Sequence, residues 1–360
     1  MYSNKPGKIG LVVTTINYPT QAMQEMSSFL SKRFDGADTN LIPQDMEIFV
    51  VGDKKTPNDW SLPFTNYMSV EIQANSVYKI AHSTPWNSYS RKMLGYLEAI
   101  RNNCEWIKET DDDNIPKPVF FEIPTTNIEV RTTESSNLGW INLYSAFTSR
   151  RVWPRGLPLH VINEIFLNPA KYEINLCPIT NVVLYQALAD GEPDVDALYR
   201  LTVEEESNIK FEELPPVLFP KNAYSPFNSQ ATTWHHSIFP LMYLPITCSF
   251  RMTDIWRSFI AQRILRDSDL NLVFLGAEVF QARNPHNLLR DFEDEVEGYL
   301  NNEKLRVILE NTKLLGGTDN YDIDLTSIYE NLVSAGLLME IELDSLRNWL
   351  EDLRNTGWSA

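Results

Sequence analysis

The stretch Lys8-Ile-Gly-Leu-Val-Val-Thr-Thr-Ile16 decides the fold class of this 360-residue chain. Its apolar and β-branched residues run without interruption, which is typical of a strand buried on both faces of a parallel sheet. A helical pattern follows, with Met23, Met26 and Leu30 on one face, and residues 46–51 predict a second buried strand. This alternation predicts an α/β fold built on a doubly wound parallel sheet.

The same alternation continues along the chain. Residues 67–73 predict a weaker third strand, residues 89–101 a helix, residues 104–108 a fourth strand and residues 119–123 a short strand-like piece. Residues 253–266 predict a helix capped by its first residue, and residues 271–275 predict a late strand. Ligands of such sheets bind where the carboxyl ends of the strands meet.

We predict two units along the chain. The first is a sheet domain, residues 1–280, with a nucleotide-binding half, 1–115, and an acceptor half, 116–280. The second, residues 281–360, is an acidic α-helical extension, because its apolar residues recur at helical spacing. The predicted helices of this extension cover residues 286–315, 325–338 and 341–354.

Composition excludes several classes of function. The net charge of −17 disfavours nucleic acids and anionic membranes as general partners, since both reward clusters of Lys and Arg. The three cysteines lack the spacing of a metal site or a disulfide framework. Neither a dinucleotide-binding nor a P-loop glycine motif occurs. No apolar run approaches membrane-spanning length, so a soluble, cytoplasmic protein is expected.

The stretch Glu109-Thr-Asp-Asp-Asp-Asn114 is the strongest functional signal. Asp111, Asp112 and Asp113 repel one another and resist burial unless a cation neutralises them. Mn²⁺ or Mg²⁺ prefers such oxygen ligands and completes its shell with substrate phosphates. The alternative is a solvated, Asp-rich turn.

Further polar residues fall at the predicted strand ends or near them. Thr14 and Thr15 end the first strand and Asp53 follows the second, so we expect them to line a nucleoside pocket. Arg91 and Lys92 lie in the first turn of a helix, where cations oppose the helix dipole. A bound diphosphate would compensate for them; the alternative is a surface pair.

Two loops carry charged candidates. Arg155 is held between prolines and a glycine in Trp153-Pro-Arg-Gly-Leu-Pro158, which suits recognition of a phosphate or carboxylate. The alternative is an arginine that donates to carbonyls of its own loop. Asp194 and Asp196 share one side of an extended piece and could hold sugar hydroxyls. Asp196 could equally cap the segment that follows it.

The later part of the chain adds a possible base and further cations. Asp254 opens the predicted helix and is a candidate general base for an acceptor hydroxyl, or a residue stabilised by the helix N-terminus. Arg257 and Arg263 lie on the same helix as candidate phosphate contacts. His235 is a candidate late metal ligand, or a structural histidine among aromatic residues.

A series of motifs resembles the STELLO family of glycosyltransferases, whose plant members are Golgi proteins linked to cellulose synthesis. The resemblance spans roughly residues 8–276 and leaves the helical tail outside. Its most specific string is Trp153-Pro-Arg-Gly-Leu-Pro158. The other matching motifs, in chain order, are Lys55-Thr-Pro-Asn-Asp-Trp60, Tyr89-Ser-Arg-Lys-Met-Leu-Gly-Tyr96, the Asp triplet, Pro193-Asp-Val-Asp196, and Asp254-Ile-Trp-Arg257 through Arg263.

The resemblance implies a GT-A-like (Rossmann-like) nucleotide-sugar-binding fold. In that fold an Asp-x-Asp motif holds Mn²⁺ or Mg²⁺ against the donor diphosphate, and Asp111 and Asp113 match this motif. His235 matches the late histidine that completes the metal shell in many such enzymes. Asp254 is similar in placement to the base of inverting enzymes, although the usual acidic residue before it is replaced by Thr253.

The resemblance therefore implies a metal-dependent glycosyltransferase in polysaccharide biosynthesis, moving a sugar to a glycan or another hydroxyl acceptor. The Asp triplet also resembles that of the reversibly glycosylated polypeptides, the UDP-arabinose mutases, which favours a UDP-sugar donor. Two alternatives stay open. One is a nucleotide-sugar mutase or self-glycosylating protein; the other is a non-catalytic glycan-assembly subunit, with the C-terminal helices binding a protein partner or a second copy.

Overall fold

A mixed sheet forms the centre of the molecule. The computed structural model describes residues 7–31, 46–134, 138–203, 208–282 and 287–359. Their strands are β1 (Ile9–Thr15), β2 (Met46–Gly52), β3 (Thr65–Met68), β4 (Trp106–Asp111), β5 (Asn114–Pro116), β6 (Ile128–Val130), β7 (Cys177–Ile179), β8 (Val182–Gly191), β9 (Val217–Leu218), β10 (Ala231–His235) and β11 (Asn271–Gln281).

Helices cover the sheet and extend beyond it. They are α1 (Gln21–Ser31), α2 (Val70–Ala74), α3 (Lys79–Ser83), α4 (Lys92–Arg101), α5 (Leu159–Leu167), α6 (Ala197–Thr202), α7 (Thr253–Arg266), α8 (Leu288–Asn311), α9 (Tyr321–Ser334) and α10 (Ile341–Asn355). Among the described residues, none of the helices combines the length and the apolar character needed to cross a bilayer.

The strand order confirms the α/β class. The main path through the sheet is β3-β2-β1-β4-β10-β8-β11-β5, and its first four strands are parallel. β1 lies between β2 and β4, which explains why its sequence is apolar on both faces. The register places Thr14 beside Val51 on one side and Asp111 on the other. The predicted strand-end residues of β1, β2 and β4 therefore meet at one edge.

The predicted sheet is parallel only in part. β10 runs antiparallel to both β4 and β8, and β5 runs antiparallel to β11. A strand that is buried on both faces has the same apolar pattern whichever way its neighbours run, so the direction of β10 cannot be read from its residues.

Three predicted elements differ in type or extent. β3 ends at Met68, and Ser69 then caps α2, so residues 67–73 are only partly a strand. β4 extends to Asp111, which places Glu109 inside the sheet instead of in a turn. The apolar residues 119–123 largely form a 3₁₀ helix, Pro118–Phe121, instead of a strand.

The C-terminal helices share one hydrophobic cluster with the helices beneath the sheet. Trp349 is fully buried and donates to the Pro240 carbonyl at 3.1 Å. Glu342, also buried, accepts hydrogen bonds from the Tyr243 hydroxyl and the Ile246 amide. We propose that the tail belongs to the same folded body as the sheet. His286, where the first of these helices was predicted to begin, lies outside the described residues.

Candidate functional site

An open cleft of about 510 Å³ lies at the carboxyl ends of β1, β2 and β4. Its other wall comes from the loop after β8, the start of α7 and the end of β11. Six aspartates and three cationic side chains line it, so negative charge is in excess. The charged lining residues are Asp53, Lys55, Asp111, Asp112, Asp113, Arg155, Asp194, Arg251 and Asp254.

The Asp triplet lines this cleft. Oδ1 of Asp111 accepts hydrogen bonds from the Tyr89 hydroxyl at 2.7 Å and from Nζ of Lys92 at 2.9 Å. Lys92 is fully buried, whereas the Asp111 side chain is 28% exposed. The carboxylate is thus fixed from behind by a buried cation, while part of it still faces the cleft.

Asp112 and Asp113 are held by neutral donors. Asp112 accepts hydrogen bonds from the Thr15 hydroxyl and from the side-chain amide of Asn17 at 3.1 Å. Asp113 accepts one from the side-chain amide of Gln281 at 3.3 Å. Burial, reinforced by the Asp111 charge, raises the pKa of Asp113 to about 6, and burial also raises the pKa of Asp112. The cleft therefore concentrates carboxylates that lack enough positive charge nearby.

The raised pKa of Asp113 makes metal-free stability depend on pH. The unfolded chain has the ordinary value of 3.8, so the stability linked to this carboxyl is present below pH 4 and lost as the pH rises through about 6. We expect metal-free Asp113→Asn to exceed the parent in free energy of unfolding by about 1–2 kcal/mol at pH 8 and by no more than about 0.5 kcal/mol at pH 4. Urea denaturation at both pH values measures this difference; an equal difference at both would contradict the mechanism.

Arg155 joins two of the lining aspartates. Its guanidinium pairs with both oxygens of Asp194 at 2.7 and 2.8 Å and with both oxygens of Asp254 at 3.2 Å. Although burial opposes ionisation, the Arg155 charge and hydrogen bonds outweigh it and lower the pKa of Asp194 to about 2. Asp254 also accepts from the Ser229 amide and hydroxyl. This arrangement fixes Asp254 at the cleft wall and occupies both of its oxygens.

The loop that carries Arg155 is shaped by Gly156. Its φ of +103° is rarely adopted by other residues, and an added Cβ would lie 2.6 Å from a methyl carbon of Ile255 on α7. The glycine therefore lets the loop pack against the start of α7. This packing brings Arg155 and Asp254 together across 99 residues of sequence.

The three predicted nucleoside-pocket residues all line the cleft. Thr14 and Thr15 lie at the end of β1, and Asp53 follows β2. The Thr56 hydroxyl ties the two strand ends together by donating to the Thr15 carbonyl at 2.7 Å while accepting from the Asp53 amide at 2.7 Å.

Arg91 and Lys92 do not line the cleft, so their predicted contact with a diphosphate is not supported. Arg91 is buried, stacks on Trp86 at 3.6 Å and donates to Gln73 and to the Thr84 carbonyl. Its donors thus hold the segment before α4. Lys92 reaches the site through the Tyr89 hydroxyl and through Asp111, which supplies the negative charge that the sequence argument assigned to a ligand.

Three other predicted sugar or phosphate contacts are structural. Arg257 pairs with fully buried Glu109 at 2.6 Å, behind the cleft. Arg263 donates to the Leu309 and Thr312 carbonyls and so holds the end of α8. Asp196 caps α6 through the Tyr199 amide, as the capping alternative expected. None of the three lines the cleft, because the polar atoms of each are hydrogen-bonded to other residues within the fold.

His235 is remote from the Asp triplet, so its predicted role as a ligand of that metal is wrong. β10 runs antiparallel to β4 and pairs His235 with Trp106, at the start of β4, whereas Asp111 ends that strand. Five residues of extended strand separate the two positions by roughly 17 Å. The direction of β10, which the sequence did not reveal, decides this outcome.

Several lining residues were not predicted as site residues. Lys55, Asn17, Gln230, Arg251 and Gln281 all face the cleft. Within the described part of the chain, Lys55 has no carboxylate partner, whereas Arg251 pairs with Glu295 at 2.7 Å. The position of Lys55, two residues beyond Asp53 after β2, was the available signal for it.

Comparison with known proteins gives sequence relatives. The family model of the STELLO glycosyltransferases matches residues 251–360. The chain is 30% identical over 281 residues to Probable glycosyltransferase STELLO1 of Arabidopsis thaliana, covering 73% of this chain and 34% of that protein. It is 28% identical over 336 residues to STELLO2 of the same plant, covering 87% of this chain and 42% of that protein. The chain therefore spans between a third and a half of these relatives.

The family model corrects one expectation. Residues 251–360 include all three C-terminal helices, so the tail was wrongly placed outside the resemblance. This match agrees with the shared hydrophobic cluster that joins the tail to the rest of the molecule.

Solved structures give weaker similarities. Glucosyl-3-phosphoglycerate synthase of Mycobacterium tuberculosis, crystallised with Mn²⁺, UDP-glucose and glycerol 3-phosphate, aligns with a TM-score of 0.41 at 13% identity, over 82% of this chain and 80% of that one. Mannosyl-3-phosphoglycerate synthase of Rubrobacter xylanophilus aligns with a TM-score of 0.38 at 10% identity, over 84% and 75%. Scores at this level carry no argument about activity.

Proposed function

Because the chain is STELLO-like in sequence, we propose that it is a metal-dependent glycosyltransferase that uses a nucleotide-diphosphate sugar. The observation that carries this proposal is the position of Asp111, Asp112 and Asp113. They lie together in a cleft at the carboxyl ends of β1, β2 and β4, which is where α/β sheets bind nucleotides.

The residue types of the triplet suit a hard divalent cation. The triplet offers only carboxylate oxygens, the ligands that Mg²⁺ and Mn²⁺ prefer. The raised pKa values of Asp112 and Asp113 report carboxylates in need of a nearby positive charge. Such an ion, when bound, would neutralise the diphosphate leaving group. Lys92 and Tyr89 would keep Asp111 in position for it.

Two groups of lining residues have further proposed roles. Thr14, Thr15 and Asp53 form the wall proposed to hold the nucleoside. Lys55 stands near Asp53 and replaces Arg91 as the candidate contact for a phosphate oxygen. A cation at this place would add to the charge stabilisation on which sugar transfer depends.

The Arg155 group forms the opposite wall. Asp194 and Asp254 are held by the guanidinium, and both residues line the cleft. We propose that they accept hydrogen bonds from sugar or acceptor hydroxyls. Since Arg155 already engages both oxygens of Asp254, this geometry favours an orienting role for Asp254 over that of a proton acceptor.

A thermal-shift screen of UDP-, GDP- and ADP-sugars, each with and without Mn²⁺, tests the proposal. A ligand that binds only the native state raises the melting temperature, by an amount equivalent to about 2.7 kcal/mol at 100 times its Kd. We expect one nucleotide class to stabilise the protein only when Mn²⁺ is present. No shift with any donor would favour the non-catalytic alternative, and sugar isomerisation without an acceptor would favour a mutase.

A further inference from the structure

The end of the sheet opposite the cleft brings two histidines and a glutamate together. Antiparallel pairing places His235, the last residue of β10, beside Trp106, the first residue of β4. The His236 amide then donates to the Glu105 carbonyl at 2.8 Å. Main-chain hydrogen bonds therefore fix the three residues Glu105, His235 and His236 relative to one another.

Their side chains converge on one point. One potential ligand atom from each residue lies within 4.8 Å of the others, and Nε2 of His235 is 3.7 Å from a carboxylate oxygen of Glu105. In a tetrahedral zinc site with bonds of about 2.0–2.1 Å, ligand atoms lie roughly 3.3 Å apart. Side-chain rotations that move the ligand atoms by roughly an ångström would therefore complete the tetrahedral geometry.

We propose that Glu105, His235 and His236 bind Zn²⁺ or a similar first-row transition-metal ion, at a site separate from the cleft. Two imidazoles and one carboxylate suit zinc, whereas the all-oxygen triplet suits Mg²⁺ or Mn²⁺. Glu105 is 45% exposed, which leaves room for water in the fourth position. The ion would join the start of β4 to the end of β10.

Neighbouring groups orient the imidazoles. Nδ1 of His235 lies 2.9 Å from the Ser237 hydroxyl and accepts a hydrogen bond from the Ser237 backbone amide at 3.4 Å, so Ser237 holds the ring through Nδ1 and leaves Nε2 facing Glu105. The Trp106 ring packs against His235 at 4.6 Å, and the Trp358 indole donates to the His236 carbonyl at 2.7 Å.

Zinc titration by calorimetry tests this site in the full chain carrying Asp111→Asn and Asp113→Asn, so that the cleft does not compete. We expect one equivalent of Zn²⁺ to bind and the melting temperature to rise. Adding His236→Gln, or separately Glu105→Gln, should weaken zinc binding by at least about 10-fold. Loss of a residue that only hydrogen-bonds to a metal ligand already costs about that much, so loss of a ligand itself should cost no less. Urea midpoints measured without metal show whether each variant folds. If His236→Gln does not fold, Glu105→Gln still tests the site, because the Glu105 side chain is exposed.

The matched control is His82→Gln, since His82 is exposed and outside the cluster. It should leave zinc affinity unchanged. Failure of the parent to bind one equivalent of zinc would overturn the proposal, as would binding that neither His236→Gln nor Glu105→Gln weakens. These outcomes do not bear on the proposed transferase activity, because no residue of this cluster lines the cleft.

Discussion

Replacing Asp111 and Asp113 together by asparagine is expected to lower metal-dependent hydrolysis or transfer of the donor by at least about 10³-fold, as for loss of a main electrostatic stabiliser. Asparagine keeps the volume but removes two charges that would hold the cation. Lys92 retains the Tyr89 hydroxyl as a partner at 2.6 Å but loses the Asp111 charge, so a urea midpoint must first show that the variant folds. The measurement is release of nucleoside diphosphate from the donor identified by thermal shift, with and without Mn²⁺.

Asp344→Asn provides the matched control for this variant. Asp344 lies on α10 and its side chain is 69% exposed, so its loss should leave release of nucleoside diphosphate unchanged. Activity of the Asp111→Asn, Asp113→Asn variant within tenfold of the parent would show that the triplet does not hold the catalytic cation.

Arg257→Met is expected to reduce the free energy of unfolding by about 3–5 kcal/mol, the usual cost of leaving one partner of a buried ion pair uncompensated. Glu109 is fully buried and loses its guanidinium contacts at 2.6 and 3.0 Å, although the Trp234 indole still donates to it at 2.8 Å. Urea denaturation measures the change. The pair joins β4 to α7, the two elements that carry Asp111 and Asp254.

Two variants control this measurement. Arg347→Met removes the partner of Asp344 from a pair whose side chains are 70% and 69% exposed, so its effect should stay below about 1 kcal/mol. The double variant Glu109→Gln, Arg257→Met should regain part of the loss, because no buried charge is then left alone. A double variant less stable than Arg257→Met would contradict this explanation.

The strands and helices that a local pattern specifies were predictable. The apolar run of residues 8–16 yields β1, and the helical spacing of residues 253–266 yields α7, although Met252 instead of Thr253 is the N-cap and no side chain caps the helix. The strand-end argument also brought Thr14, Asp53 and the Asp triplet into one cleft. Each of these conclusions needs only periodicity and the rule that parallel strands expose their carboxyl ends together.

The partners of charged residues were not predictable, because they are set by contacts between distant parts of the chain. Arg155 meets Asp254 across 99 residues, and Arg257 meets Glu109 across 148. From sequence, an arginine held for a ligand and one held for an internal carboxylate look alike. Arg91 and Arg257 were therefore assigned to a phosphate, although the fold uses both internally.

Strand direction was the other missing information, and His235 shows its consequence. A parallel β10 would have placed His235 toward the Asp triplet; the antiparallel strand places it at the opposite edge, beside Glu105. Since buried central strands carry no local signal for direction, the histidine could be recognised as notable but not located.

A crystal of the protein grown with Mn²⁺ and a nucleoside diphosphate, measured at the manganese absorption edge, tests the central claim most directly. The account predicts an anomalous peak coordinated by carboxylate oxygens of the Asp triplet and by phosphate oxygens of the nucleotide. Manganese bound away from Asp111 and Asp113, or a diphosphate seated in the cleft without any metal, would contradict it.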